Sequence, residues 1–187
     1  MGVISLSNSL RIATDPLADV QVDRYSMHMR IEHEIPVHDL PLPYTIQRFS
    51  VAKINRFAAV LFMGFAHQPE RRFYPRLWTN RGCREMIDEF RNLAGFLEDA
   101  SYVILYRGIP VAAIMTSRPF GCVFGQIHFV AVAQRHRRKG LGSFLVKTAL
   151  NDFVRLNLHH VTVQIIGENR PGIKFFRVQG FRAAQLG

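Results

Sequence analysis

Cysteine is almost missing from this chain of 187 residues, which has only Cys83 and Cys122. Neither lies near a second Cys or a His pair at metal-ligand spacing, so a disulfide scaffold and a Cys-based metal site are both excluded and two reduced, structural thiols are expected. Long apolar runs are also missing. The longest, Phe57 to Ala66, is about half a membrane span. No basic segment leads into an apolar core at the N-terminus, and Leu6 stands where a myristoylation signal needs Ser or Thr; the expected location is cytoplasmic, with no membrane partner. Repeats and low-complexity tracts are absent, and apolar residues make up 48% and charged residues 20% of the chain, the balance of an ordinary globular domain.

Acidic residues are scarce in one half only. Residues 1–99 hold 12 basic and 12 acidic side chains, whereas residues 100–187 hold 12 basic ones against Asp152 and Glu168 alone. The net charge of +10 therefore belongs to the C-terminal half. A polyanionic ligand there explains part of this excess, and a nucleic-acid partner stays open as the alternative.

What the chain does have is concentrated in His128 to Leu150. An apolar strand (Phe129 to Ala133) runs into a basic turn with Gly140 and Gly142, and then into a helix with Leu141, Phe144, Leu145 and Leu150 at roughly helical spacing. Such a turn aims unpaired backbone N–H groups and the positive end of the helix at one point, which suits a phosphate. A P-loop is excluded because no glycine is followed by Lys-Ser or Lys-Thr, and a dinucleotide fingerprint because Leu145 stands where the third glycine would be.

The segment Arg137-Arg138-Lys139-Gly140-Leu141-Gly142 resembles the R-x-x-G-x-G signature of the GNAT acyltransferase superfamily. Downstream, Asn169 to Phe176 followed by Gly180-Phe181 is similar to that family's N-x-x-A-x-x-x-Y and G-F pattern. The resemblance implies an α/β (α+β type) fold, with a mixed, twisted central sheet and helices on both faces. It further implies transfer of an acyl group, usually acetyl from acetyl-CoA (coenzyme A), to a small-molecule or peptide amine by direct attack. The alternative is a non-catalytic or RNA-directed module of the same fold.

Pattern along the rest of the chain agrees with that order of elements. Residues 1–19 are expected to be a mobile tail and residues 20–187 one domain. Val20 to Ile35 alternates like a half-exposed strand. Next come a strand at Tyr44 to Ser50, a helix at Val51 to Ala66, an Arg-, Pro- and aromatic-rich loop at His67 to Gly82 resembling a substrate loop, and an amphipathic helix at Glu85 to Leu97 with Met86, Phe90, Leu93 and Phe96 on one side. A hairpin (Tyr102 to Ser117) leads to the central strand Gln126 to Ala133, whose alternation puts Gln126, His128, Val130 and Val132 on one face and Ile127, Phe129, Ala131 and Ala133 on the other. After the helix Gly140 to Leu156, a strand (Val161 to Ile166) and a short helix (Pro171 to Val178) close the pattern.

The resemblance assigns the cofactor to Arg137, Arg138, Lys139, Gly140, Leu141, Gly142 and Ser143 for the pyrophosphate. It gives the backbone of Val130 and Val132, with the side chain of Asn169, to the pantetheine arm, and adds Phe176 at the wall. No metal is expected. For the base that must free an ammonium, His128 on the central strand comes first and Glu168 second. Two departures stand out: Phe176 replaces a tyrosine able to return a proton, and six residues after Phe181 are too few for the family's closing pair of strands. Residues 20–36 are expected to complete that sheet edge, within the chain or across a homodimer.

Overall fold

The computed structural model describes residues 24–92, 95–119 and 121–183; the expected tail at 1–19, and Leu93 on the amphipathic helix, lie outside them. Seven strands form one sheet in the order β2-β3-β4-β5-β6-β1-β7. They are β1 (Arg24–Arg30), β2 (Tyr44–Arg48), β3 (Tyr102–Tyr106), β4 (Ile109–Ser117), β5 (Phe124–Val132), β6 (His160–Ile166) and β7 (Arg182–Ala183). Among the described strands only β5 and β6 pair in parallel, and α4 supplies the crossover that a parallel pair requires. The other helices are α1 (Ile54–Gly64), α2 (Glu70–Phe73), α3 (Asn80–Asn92) and α5 (Arg170–Val178), and α4 spans Leu141–Arg155.

The N-terminal strand joins the sheet within the chain, beside β6. β1 pairs antiparallel with β6 over its whole length, from Arg24 opposite Ile166 to Arg30 opposite His160. It is not the edge itself, because the two residues of β7 pair on its far side. The chain after β1 is strapped to α4: Asn151 accepts from Ile35 N and donates to Ile35 O (2.8 and 2.9 Å), and Arg155 clasps both carboxylate oxygens of Glu34.

Helices cover both faces. Against one face lie Leu145, Val146, Ala149, Leu150 and Phe153 of α4 and Ile173 and Phe176 of α5, meeting Ile114 and Ile127. Against the other, Phe57, Leu61, Ile87 and Phe90 of α1 and α3 meet Ala113, Met115, Phe129 and Ala131. Strict alternation along β5 therefore fails between Ile127 and Phe129, which lie in opposite cores. The cause is a bulge: Met115 pairs with Phe129 and Thr116 with Ile127, so His128 has no partner on β4. The extra residue reverses the faces beyond it.

Packing between α4 and the sheet leaves no room for growth at Gly125, where a Cβ would lie 2.7 to 2.9 Å from three ring atoms of the fully buried Phe153. Gly125→Ala is expected to lower stability by about 1–3 kcal/mol through overpacking, measurable as a drop in denaturant midpoint at unchanged slope.

Candidate active site

The turn between β5 and α4 is shaped by two left-handed residues, Arg138 (φ 61°) and Gly140 (φ 79°), which bend the chain so that α4 begins directly over the end of β5. The first intrahelical bond runs from Phe144 N to Gly140 O (2.9 Å). The amides of Leu141, Gly142 and Ser143 therefore have no partner inside the helix. Gly142 matters for a further reason: a Cβ there would sit 3.3 Å from the Phe175 ring and 3.7 Å from Val132. Ser143 Oγ accepts from Gln179 Nε2 at 3.0 Å, which ties the turn to the end of α5. Arg138 and Lys139 are exposed at the mouth of this cradle.

Arg137 points the other way. Its guanidinium donates to Val132 O (3.1 Å) and Gly64 O (2.6 Å); with the Gln68 amide turned so that its oxygen faces the guanidinium, that oxygen accepts at 2.8 and 3.0 Å. Burial lowers its pKa from the ordinary value, with Glu70 opposing that shift. It locks the ends of β5 and α1 together, which leaves the backbone amides, Arg138 and Lys139 as the open groups of the motif.

Beside the turn the sheet splits. β5 and β6 pair only from Phe124 opposite His160 to Ile127 opposite Val163, then diverge. Because Ala133 N donates to Val111 O (2.8 Å), alternate antiparallel pairing aims the amides and carbonyls of Val130 and Val132 into the gap. The Val132 carbonyl is already taken by Arg137. The gap opens into a cavity of about 960 Å³ that reaches from the α4 turn to the inner faces of α1 and α3.

Of the two bases expected from sequence, His128 lines this cavity. Its ring lies 4.6 Å from that of Phe90, its Nε2 is 2.9 Å from Ser117 Oγ, and burial pushes its pKa down to about 4. Glu168 is not part of the lining; it is exposed and ion-paired with Arg72 at 3.3 Å. Phe176 is buried at 6% exposure, its ring packed between those of Phe175 and Phe181. Asn169 lines the cavity, but its amide is engaged within the protein: Oδ1 caps α5 by accepting from Gly172 N (2.8 Å), and Nδ2 donates to Glu70 Oε1 (2.5 Å).

Glu70 was not expected from sequence. It is 8% exposed at the start of α2, lines the cavity, and its Oε2 has no partner. Burial raises its pKa above the usual carboxylate value, with its own backbone amide, Asn169 and Arg137 acting the opposite way. The only available signal was its isolation, since it is the single acid between Asp39 and Glu85 and is followed by Arg71 and Arg72. That pattern reads equally well as a local ion pair. In the fold those arginines turn elsewhere: Arg71 stacks between Phe62 and Trp78 (5.1 and 4.9 Å), and Arg72 meets Glu168.

A split mixed sheet with a helix N-terminus at the split defines an α/β protein with a deep cleft between diverging strands. The acetyltransferase (GNAT) family model matches residues 67–181, and the chain belongs to that family of N-acetyltransferases. No curated protein matches it significantly. Among solved structures it is similar to a GCN5-related N-acetyltransferase from Sphaerobacter thermophilus, at 16% identity and TM-score 0.66, covering 86% of this chain and 48% of that one. It is also similar to Ard1 from Thermoplasma volcanium (22% identity, TM-score 0.59, 75% and 84% covered) and to PaiA N-acetyltransferase from Thermoplasma acidophilum, solved with coenzyme A (11%, TM-score 0.61, 78% and 94%). This chain thus spans about half the length of the first of these proteins. Among the described residues no helix is long and apolar enough to cross a membrane, and no cluster of His, Cys, Asp and Glu could hold a metal ion.

Proposed function

We propose that the protein transfers an acyl group, acetyl in the first instance, from acyl-coenzyme A to an amine by direct attack. The observation that carries this reading is the alignment of three unpaired α4 amides with the open edge of β5 across one cavity. The residues present fit a pyrophosphate with a peptide-like arm. Leu141, Gly142 and Ser143 supply amides, Arg138 and Lys139 supply charge, and Val130 with the Val132 amide supplies an edge on which amide groups can pair as an added strand. When bound, the coenzyme thioester supplies an activated acyl carbon and a thiol leaving group with a pKa near 8.5, which departs near neutral pH without a tyrosine at Phe176.

His128 is the proposed proton acceptor for the nitrogen once the new C–N bond has made it acidic. With a pKa of about 4 it is the free imidazole at pH 7, the form a base requires. An amine that arrives as an ammonium of pKa ~10.4 must lose a proton first; giving it to the neutral His128 costs on the order of 8 kcal/mol and leaves a buried cation, whereas giving it to a carboxylate leaves a neutral pair. Calorimetric titration with acetyl-CoA tests the cofactor half of the reading, and thiol release with an amine panel tests the transfer. Absence of binding at millimolar acetyl-CoA would refute the assignment.

A further inference from the structure

An ammonium entering this cavity needs a counter-charge and a first proton acceptor, and one buried group is placed to supply both. Glu70 is held from one side by the Asn169 amide while its second oxygen, unpartnered and buried, belongs to the cavity wall. The neighbouring cation makes no hydrogen bond to Oε2: Arg137 donates instead to Val132 O and Gly64 O. A buried carboxylate with an empty acceptor position costs stability unless a ligand completes it. A large part of the cavity wall is apolar: Leu61, Phe65, Leu77, Met86 and Phe90, from α1 to α3, line the cavity that Glu70 lines. A ligand body seated against that part of the wall would meet mostly carbon.

Resting on the acyl-transfer reading, we propose that Glu70 binds the acceptor's ammonium group and takes its first proton, and that the acceptor is a primary amine carried on an apolar body. Asn169 acts as a positioning residue for that carboxylate. The ammonium gives one proton to the Glu70 carboxylate, and the freed nitrogen lone pair forms the C–N bond to the acyl carbon as the C–S bond breaks, its electrons leaving on sulfur. The nitrogen then loses a second proton, which passes by His128 to the thiolate. Glu70 returns its proton to solvent, so the sum is ammonium plus thioester giving amide, thiol and one proton.

The test uses the full chain with acetyl-CoA and two sets of primary amines, 2-phenylethylamine and hexylamine against ethanolamine and putrescine. The wild-type protein is expected to favour the apolar pair in kcat/KM by about 100-fold, as apolar burial and loss of polar hydration dictate. Glu70→Gln, with its melting temperature checked, is expected to lose about 100-fold in kcat/KM for 2-phenylethylamine at pH 7. Most of that loss should vanish above the amine's own pKa, where no ammonium needs a base. Calorimetry of 2-phenylethylamine into protein saturated with coenzyme A should show binding by the wild type and about tenfold weaker binding by Glu70→Gln. Asn169→Ala should move the acid limb of the kcat/KM profile to higher pH, because the Asn169 hydrogen bond holds the Glu70 pKa down. Preference for the polar amines, or no turnover of the apolar ones by protein that binds acetyl-CoA, overturns the acceptor class. Full activity of Glu70→Gln, or an equal loss at every pH, overturns the role of Glu70. Failure to bind acetyl-CoA would instead strike the acyl-transfer reading on which both rest.

Discussion

Gly142→Asp is expected to weaken acetyl-CoA binding by about 100-fold, or ~3 kcal/mol, while leaving the melting temperature nearly unchanged. Two effects add. A carboxylate placed among the amides of Leu141 to Ser143 repels the phosphates and competes for the donors, and a hydrogen bond to a charged group is worth about 1.5–3 kcal/mol. The new Cβ also meets the Phe175 ring at 3.3 Å, so it narrows the approach. Stability holds because an acidic side chain in the first helical turn gains roughly 0.3–1 kcal/mol from the helix dipole, which offsets the contact with Phe175. Gly142→Ala, which adds the Cβ without the charge, should lose about tenfold. Binding of acetyl-CoA by Gly142→Asp at wild-type affinity would place the phosphates somewhere other than this turn.

The second large effect is on stability. His128 is pushed down to about 4 by burial, whereas in the unfolded chain it titrates near 6.5. Between those values the unfolded state binds the proton and the folded state does not, so stability rises with pH across the window and is lost as pH falls through it. At ~1.4 kcal/mol for each pH unit, the window is worth about 3 kcal/mol, fully present above pH 6.5 and exhausted near pH 4. For a chain of this size that corresponds to a fall of roughly 10 °C in melting temperature. His128→Gln, which does not titrate and keeps a polar atom near Ser117, should show a correspondingly shallower acid loss. Comparison with the wild type cancels the contribution of Asp152 and Glu70, whose pKa values are raised by burial and which therefore act with the opposite sign. Parallel acid profiles for the two proteins would show that His128 is not held in its neutral form by the fold.

How far a residue's role could be read from sequence depended on the range of the interactions behind it. The turn from β5 into α4 was legible because it is local: within Arg137 to Ser143 the bend needs Gly140 at φ 79°, and Gly142 lies too close to the Phe175 ring for a Cβ to fit easily. The same holds for the hairpin, the central strand and α4, whose patterns fall within one element. The segment 67–82 was read as a loop, yet it holds α2, a 3-10 turn at Pro75–Trp78 and the first turn of α3. Its Pro and Arg content hid short helical pieces held by tertiary packing, the turn at Pro75–Trp78 chiefly against α3.

Arg137, Asn169, Glu70 and His128 owe their roles to partners distant in the chain. Arg137 belongs to a phosphate motif yet serves as an internal strut, because Gly64 O is 73 positions away in the chain and 2.6 Å away in space. Asn169 reaches Glu70 across 99 positions, so the residue expected on the pantetheine arm also supports a buried carboxylate. The reversal of faces at His128 follows from pairing with β4, and no period along β5 alone contains it. The sequence by itself determined the sheet-and-helix order, the family and the glycine-containing turn between β5 and α4, all written in local glycines, charges and apolar spacing. Only the tertiary structure decided that β1 lies between β6 and β7, that the sheet splits after Ile127 and that Glu70 faces the cavity, because each depends on which surfaces meet once the apolar faces are buried.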